Sequence, residues 1–249
     1  MNSKKFYRRT EQRTFIQYLP GAFVYPLRGA GPYVLFFGTL MLIINSFGVS
    51  SYLLYFGVVV DGFVALYYFS VITSTTLYKD DPPEWPIANL GDLITASIMS
   101  CALSLISFGP LTFYYAWFSM GVESSEMIQK PDNNIILILG IWSAIYFPIG
   151  SIAIAETNNL LSLNPLTILY LVLKALIKAP FQYIIISIPI GIILVSQVII
   201  CANYFGDMRS MRMPLLIIII FLQFFSFYFL MVLGRILGLF YRYYFESGN

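Results

Sequence analysis

Histidine is absent from the 249 residues, cysteine occurs only twice, and charged residues make up just 10% of the chain. Without imidazole there can be no Ser-His-Asp or Cys-His nucleophile pair, no His-ligated zinc, no ordinary haem ligation and no histidine proton relay. Cys101 and Cys201 sit in apolar segments with no CxxC spacing. A disulfide framework or thiolate metal site is therefore not expected, and both read as small buried hydrophobes. A soluble domain carries about 25% charged residues, and a chain this poor in charge cannot cover a water-facing surface.

What the sequence has instead is apolar length: 59% of residues are hydrophobic and 18% aromatic. A helix needs about 20 apolar residues to cross the hydrocarbon of a bilayer. Long runs without strict alternation suit helices rather than barrel strands. The expected fold class is all-α, a polytopic transmembrane helical bundle forming one integral membrane domain over 1–249. About six spans are predicted, near 32–47, 52–77, 93–120, 134–155, 181–201 and 214–240.

Charge placement orients this arrangement. Lys4, Lys5, Arg8, Arg9, Arg13 and Arg28 crowd the tail 1–31, which reads as a retained basic segment attracted to anionic lipid rather than to nucleic acid. Eleven Lys and Arg residues fall on one side of the six-span arrangement and three on the other. By the positive-inside rule both termini are then cytoplasmic, in the inner membrane of a cell.

Three apolar stretches are not expected to span. Phe15 to Leu27 carries two prolines and suits the headgroup layer beside the basic tail. Asn164-Pro165 is a helix-start signal. From there Leu166, Leu169, Tyr170, Leu173 and Ile177 share one face and Lys174 and Lys178 another, which predicts an interfacial helix over about 165–179 in preference to a seventh span. The stretch Lys79 to Asp92, KDDPPEWPIANLGD, has a net charge of −3, and its prolines favour a stiff extended path. Asp80, Asp81, Glu84 and Trp85 could dock a partner protein, or the segment could simply hold two spans apart. Magnesium on those carboxylates is disfavoured, because no phosphate loop or basic clamp accompanies them.

These residues carry a resemblance. Tyr25-Pro26-Leu27-Arg28-Gly29, then Asp61-Gly62-Phe63 in the second span, then DDPPEWP leading to a Gly-Asp pair and another long span resemble an uncharacterised family of prokaryotic polytopic membrane proteins. In that family a short acidic, proline-containing, aromatic segment follows the second transmembrane helix. The likeness extends to Phe147-Pro148 and Leu163-Asn164-Pro165 and covers about residues 25 to 180. It implies topology and transfers no activity.

Inside the predicted spans Asp61 stands out, since a charge at mid-helix costs about 2.5–3.5 kcal/mol on insertion scales. Asp61, Gln223 and Gln197 fall at similar predicted depths and are expected to form a polar cluster. Such a cluster serves either as a proton or cation site or as hydrogen-bonded glue, the second being the simpler expectation. Arg235, near the end of its helix, is expected to snorkel to the interface or to pair with Glu156. Pro110, Pro148 and Pro189 predict kinks for packing ahead of a substrate site. With no catalytic residue, metal or cofactor in view, the expected function is non-enzymatic: an accessory or scaffold subunit of a larger membrane complex, bound to other membrane proteins. The alternative is a small transporter or channel with a polar site around Asp61.

Overall fold

The computed structural model describes residues 15–47, 54–86, 88–120, 132–187, 190 and 213–245. Every regular element among them is helical. The order is α1 (Phe15–Val24), a 3-10 turn (Tyr25–Leu27), α2 (Gly31–Phe47), α3 (Leu54–Thr76), α4 (Leu90–Met120), α5 (Asn133–Thr157), a second 3-10 turn (Leu160–Leu163), α6 (Pro165–Lys178), α7 (residues 180–187) and α8 (Met213–Tyr244). The all-α bundle expected from the sequence is what forms.

Among the described residues, four helices are long and apolar enough to cross a membrane, where six spans were expected over the whole chain: Gly57–Thr76, Leu90–Trp117, Asn133–Thr157 and Ile220–Tyr244. The described residues hold a fifth if Phe15–Leu27 and Gly31–Ile44, bent by 68° at their junction, act as one span. The stretch 32–47, expected to span, is a helix of 17 residues, or about 25 Å at 1.5 Å per residue, against a hydrocarbon thickness of about 30 Å. Its N-terminal neighbour α1 turns away because Tyr25–Leu27 is a 3-10 turn opened by Pro26, followed by Gly29 at φ +48°. Most of the expected span 181–201 lies outside the described residues.

Helix α3 is central and packs against α4 on one side and α8 on another, while α4 packs on α5, and α1 and α2 lie along α8. Small residues set these approaches. A Cβ on Gly62 would strike the Leu93 carbonyl of α4; one on Gly238 would lie 2.8 Å from the Ile72 carbonyl and 2.5 Å from Thr75 Cβ of α3. Gly234 adds a third close approach, to Val71. Gly234 and Gly238 are four apart, so both meet α3 on one face, the small-xxx-small pattern that lets membrane helices come together where lipid offers no hydrophobic drive.

The mid-helix prolines are absorbed into packing. Helix α4 runs on through Pro110 and α5 through Pro148. Proline lacks the N–H that would bond the carbonyl four residues back, which for Pro110 is Ile106. The Trp142 indole of α5 donates to that carbonyl at 3.1 Å, and Ser143 Oγ donates to the Ser107 carbonyl at 2.7 Å. Three residues before Pro148, the Ile145 carbonyl takes the Tyr183 hydroxyl. The carbonyl that Pro110 leaves open, and those of Ser107 and Ile145 near the two prolines, thus accept interhelical bonds, which lipid could not supply. Pro189 lies outside the described residues.

Helix α6 starts as its sequence predicts: the Asn164 side chain accepts from Leu166 N at 3.0 Å with Pro165 at the first position. Its 14 residues fall short of a span, and Ala179 interrupts the helix before α7. Ile168, Val172 and Ala175 are buried against the bundle, whereas Leu166 is 76% and Ile177 83% exposed. The apolar face foreseen as interfacial is the one that faces outward, and Lys178 Nζ ties the helix to the Tyr244 carbonyl at 3.3 Å. Replacing Gly238 by Ala is expected to cost about 1–3 kcal/mol through overpacking, read as a lower thermal-unfolding midpoint in detergent. The same change at Gly140, where a Cβ meets nothing within 4 Å, should leave the midpoint in place.

Candidate functional site

Two ionisable side chains in the apolar helices receive opposite treatment. Arg235, on α8, is 5% exposed and held by several partners. Its Nη2 lies 2.8 Å from Asp80 Oδ1, Nη1 donates to the Lys79 carbonyl at 2.5 Å and to Thr75 Oγ1 at 3.3 Å, and its guanidinium sits 4.9 Å from the Tyr25 ring centroid. Only a planar, forked cation can serve two oxygens in one plane while stacking on a ring. The expected pair with Glu156 does not form. Glu156 Oε1 instead accepts from Thr76 Oγ1 at 2.9 Å, while Thr73 Oγ1 donates to the Ala155 carbonyl at 2.9 Å, so the threonine-rich end of α3 binds α5 with one set of hydroxyls and α8 with another. The pairing expectation failed because helix depth alone ranks partners poorly: the extended chain after Thr76 brings Asp80 nearer than the end of α5 does.

The acidic segment is folded onto the bundle. Asp81 lies against Gly29, Pro82 is buried with its Cγ 3.2 Å from where a Cβ on Gly31 would be, and Trp85 stacks on Tyr67 with centroids 6.1 Å apart. Tyr67 stacks in turn on Phe227 at 5.8 Å, and the Phe227 ring lies over Gly38. Of the four residues expected to dock a partner, Asp80 and Trp85 are thus occupied within the chain. Asp81 and Glu84 remain exposed. The YPLRG and DDPPEWP motifs, far apart in sequence, meet here around Arg235.

Asp61 is different. It lies on α3 with Val64, Ala65 and Tyr68, one helical face, and opens into a groove of about 700 Å³ walled by α3, α4, α5 and α8. Helix α4 presents Ser97, Ser100, Cys101 and Ser104 to it; α5 contributes Phe147, and α8 contributes Phe225, Ser226 and Phe229. Among the described residues, no ion pair or hydrogen bond engages the Asp61 carboxylate or the hydroxyls of Ser97, Ser100 and Ser104. Of the polar cluster foreseen with Asp61, Gln223 does not line the groove, where α8 contributes Ser226, three residues on; Gln197 lies outside the described residues. Cys101 is exposed in the groove rather than buried, because α4 turns its serine-bearing face there. Cys201 is outside the described residues.

No family model, curated protein or solved structure matches the chain, so function has to follow from the site's own chemistry. The signal for the groove was present in the sequence as serines at 97, 100 and 104, an i, i+3, i+7 stripe in an otherwise apolar helix. Among the described residues, no group of three acidic, Cys or His side chains is placed to hold an ion.

A double-mutant cycle between Asp80→Asn and Arg235→Met is expected to give a coupling of about 1–3 kcal/mol, measured by unfolding in detergent. The cycle between Glu156→Gln and Arg235→Met should give a value near zero. Coupling of Arg235 to Glu156 instead would contradict the geometry.

Proposed function

We propose that this chain is a small multi-pass membrane transport protein whose ligand site is the groove around Asp61. One observation carries the reading: a carboxylate within a membrane helix, without an ionic or hydrogen-bonding partner among the described residues, opening into about 700 Å³. Ligand sites commonly occupy about 300–1,000 Å³, and an ionisable residue inside a membrane helix most often marks the path of an ion or substrate. The reading is non-enzymatic, as the groove's carboxylate, hydroxyls and aromatic rings suit holding a ligand. The protein is proposed to lie in the cytoplasmic membrane with the Arg235 end of the bundle inward. Support for that orientation comes from cations gathered at one end, where Arg242 stacks 3.6 Å from the Tyr78 ring centroid and Lys174 and Lys178 meet Phe245 and Tyr244, together with the preference of Lys and Arg for the cytoplasmic side. The basic tail would meet anionic lipid there.

A second reading, an accessory subunit of a larger complex, is favoured by Asp81 and Glu84, which keep an acidic surface on the docked segment. Native mass spectrometry of the purified protein would show a stoichiometric partner under that reading.

Ser104 lines the groove, and Ser104→Phe should fill it without disturbing the Arg235 contacts. In proteoliposomes the protein is expected to raise the flux of at least one fluorescent amphiphile from a set with cationic, neutral and anionic heads. Ser104→Phe should cut that flux at least tenfold. Equal flux with and without the protein, for every probe, would remove the transport reading.

A further inference from the structure

We infer that the Asp61 groove selects an organic monocation with a bulky apolar body, rather than a bare metal ion or a neutral lipid. The inference rests on the reading of this groove as the ligand site and adds the class of ligand. The first ground is charge: Asp61 supplies the groove with a carboxylate that no cation among the described residues neutralises, whereas the buried Arg235 is paired with Asp80. A carboxylate on an apolar helix with no counter-ion beside it favours whatever brings a positive charge to it.

The second ground is what surrounds that charge. A hard cation needs six or more oxygens close about it, at about 2.0–2.6 Å for magnesium or calcium. Here the hydroxyls of Ser97 and Ser104 are spread over two turns of α4, about 10 Å apart at 1.5 Å per residue, so they form a rail instead of a cage. Aromatic side chains make up much of the rest of the wall: Phe108 and Phe147 pack at 5.4 Å between centroids, and Phe225 and Phe229 at 6.4 Å. Ring faces attract ammonium and phosphonium centres and bury their substituents. One negative charge, a line of hydroxyls without partners and aromatic walls together describe a site for an amphiphilic cation entering from the lipid.

The test uses the full-length protein in detergent with three probes of nearly equal shape: tetraphenylphosphonium, neutral tetraphenylmethane and anionic tetraphenylborate. Occupancy is read by equilibrium dialysis and by slowing of maleimide reaction at Cys101 in a Cys201→Ser background. Tetraphenylphosphonium is expected to bind at least tenfold more tightly than either isostere and to slow Cys101 labelling. Asp61→Asn should remove the cation preference, Asp61→Glu should retain most of it, and the unfolding midpoint of each variant establishes that the bundle is intact. Equal binding of cation and neutral probe, indifferent to Asp61→Asn, would overturn the charge inference while leaving the groove as a ligand site. A preference for the anion would overturn it as well. Failure of all three probes to protect Cys101, with amphiphile flux also insensitive to Ser104→Phe, would overturn both the inference and the reading beneath it. A stoichiometric co-purifying protein that blocks Cys101 would assign the groove to a partner's helix and likewise sink the proposal.

Discussion

A guanidinium buried in the apolar body of the bundle is tolerable only if its charge is paired and its N–H groups find oxygens, and the arrangement around Arg235 is organised by that demand. The Lys79 carbonyl, the Asp80 carboxylate and the Thr75 hydroxyl meet its edge, and the Tyr25 ring meets its face. These four partners come from the end of α3, the chain beyond it and the turn after α1. Satisfying one side chain of α8 therefore fixes where three other pieces of chain must lie. Asp80 itself is 71% exposed at its side chain, so the ion pair runs from the interior to the surface. The desolvation cost falls mainly on arginine, the cation best suited to bear it because its charge is delocalised and weakly hydrated.

Close backbone approach makes that anchoring possible. Thr75 reaches Arg235 because Gly238, one turn further along α8, lets the α3 backbone come within contact of it. Had either helix carried larger residues there, the guanidinium would stand away from the Lys79 carbonyl. A related economy operates between α4 and α5, where the groups beside Pro110 become acceptors for Trp142 and Ser143. Since lipid competes for no hydrogen bond, each such contact is directional information about how two helices sit together, even at a modest strength of about 0.6 kcal/mol per bond.

How much of this was legible in the sequence depended on the range of the interaction. Composition and run length were enough for the all-α membrane bundle, and the Asn164-Pro165 start of α6 was readable because capping is settled within four residues. Run length alone does not see the bend of 68° at Pro26 and Gly29, which sets α1 and α2 at an angle to each other. Long-range pairing was less accessible: depth along a helix suggested Glu156 for Arg235, whereas the choice was made by an extended segment whose path no periodicity encodes. The serine stripe of α4 and the Gly234–Gly238 pair were local patterns of the readable kind, at helical spacing. They passed unremarked because small residues are common in membrane helices and gain meaning only from the helix that packs against them.

The contrast between Arg235 and Asp61 bears on function more than either residue does alone. Both are ionisable groups in helices that an apolar side chain would suit better, so each needs a physical reason to be there. For Arg235 the reason is internal, since the fold consumes its hydrogen-bonding capacity and would come apart locally without it. Asp61 holds no such position: the described helices close around its face with serine hydroxyls and aromatic rings but bring no cation or donor to its carboxylate. A structural role leaves a polar group satisfied, because the same low dielectric that strengthens a made bond penalises an unmade one. A membrane-embedded acid left open to a cavity is therefore better explained by something that arrives than by anything already present.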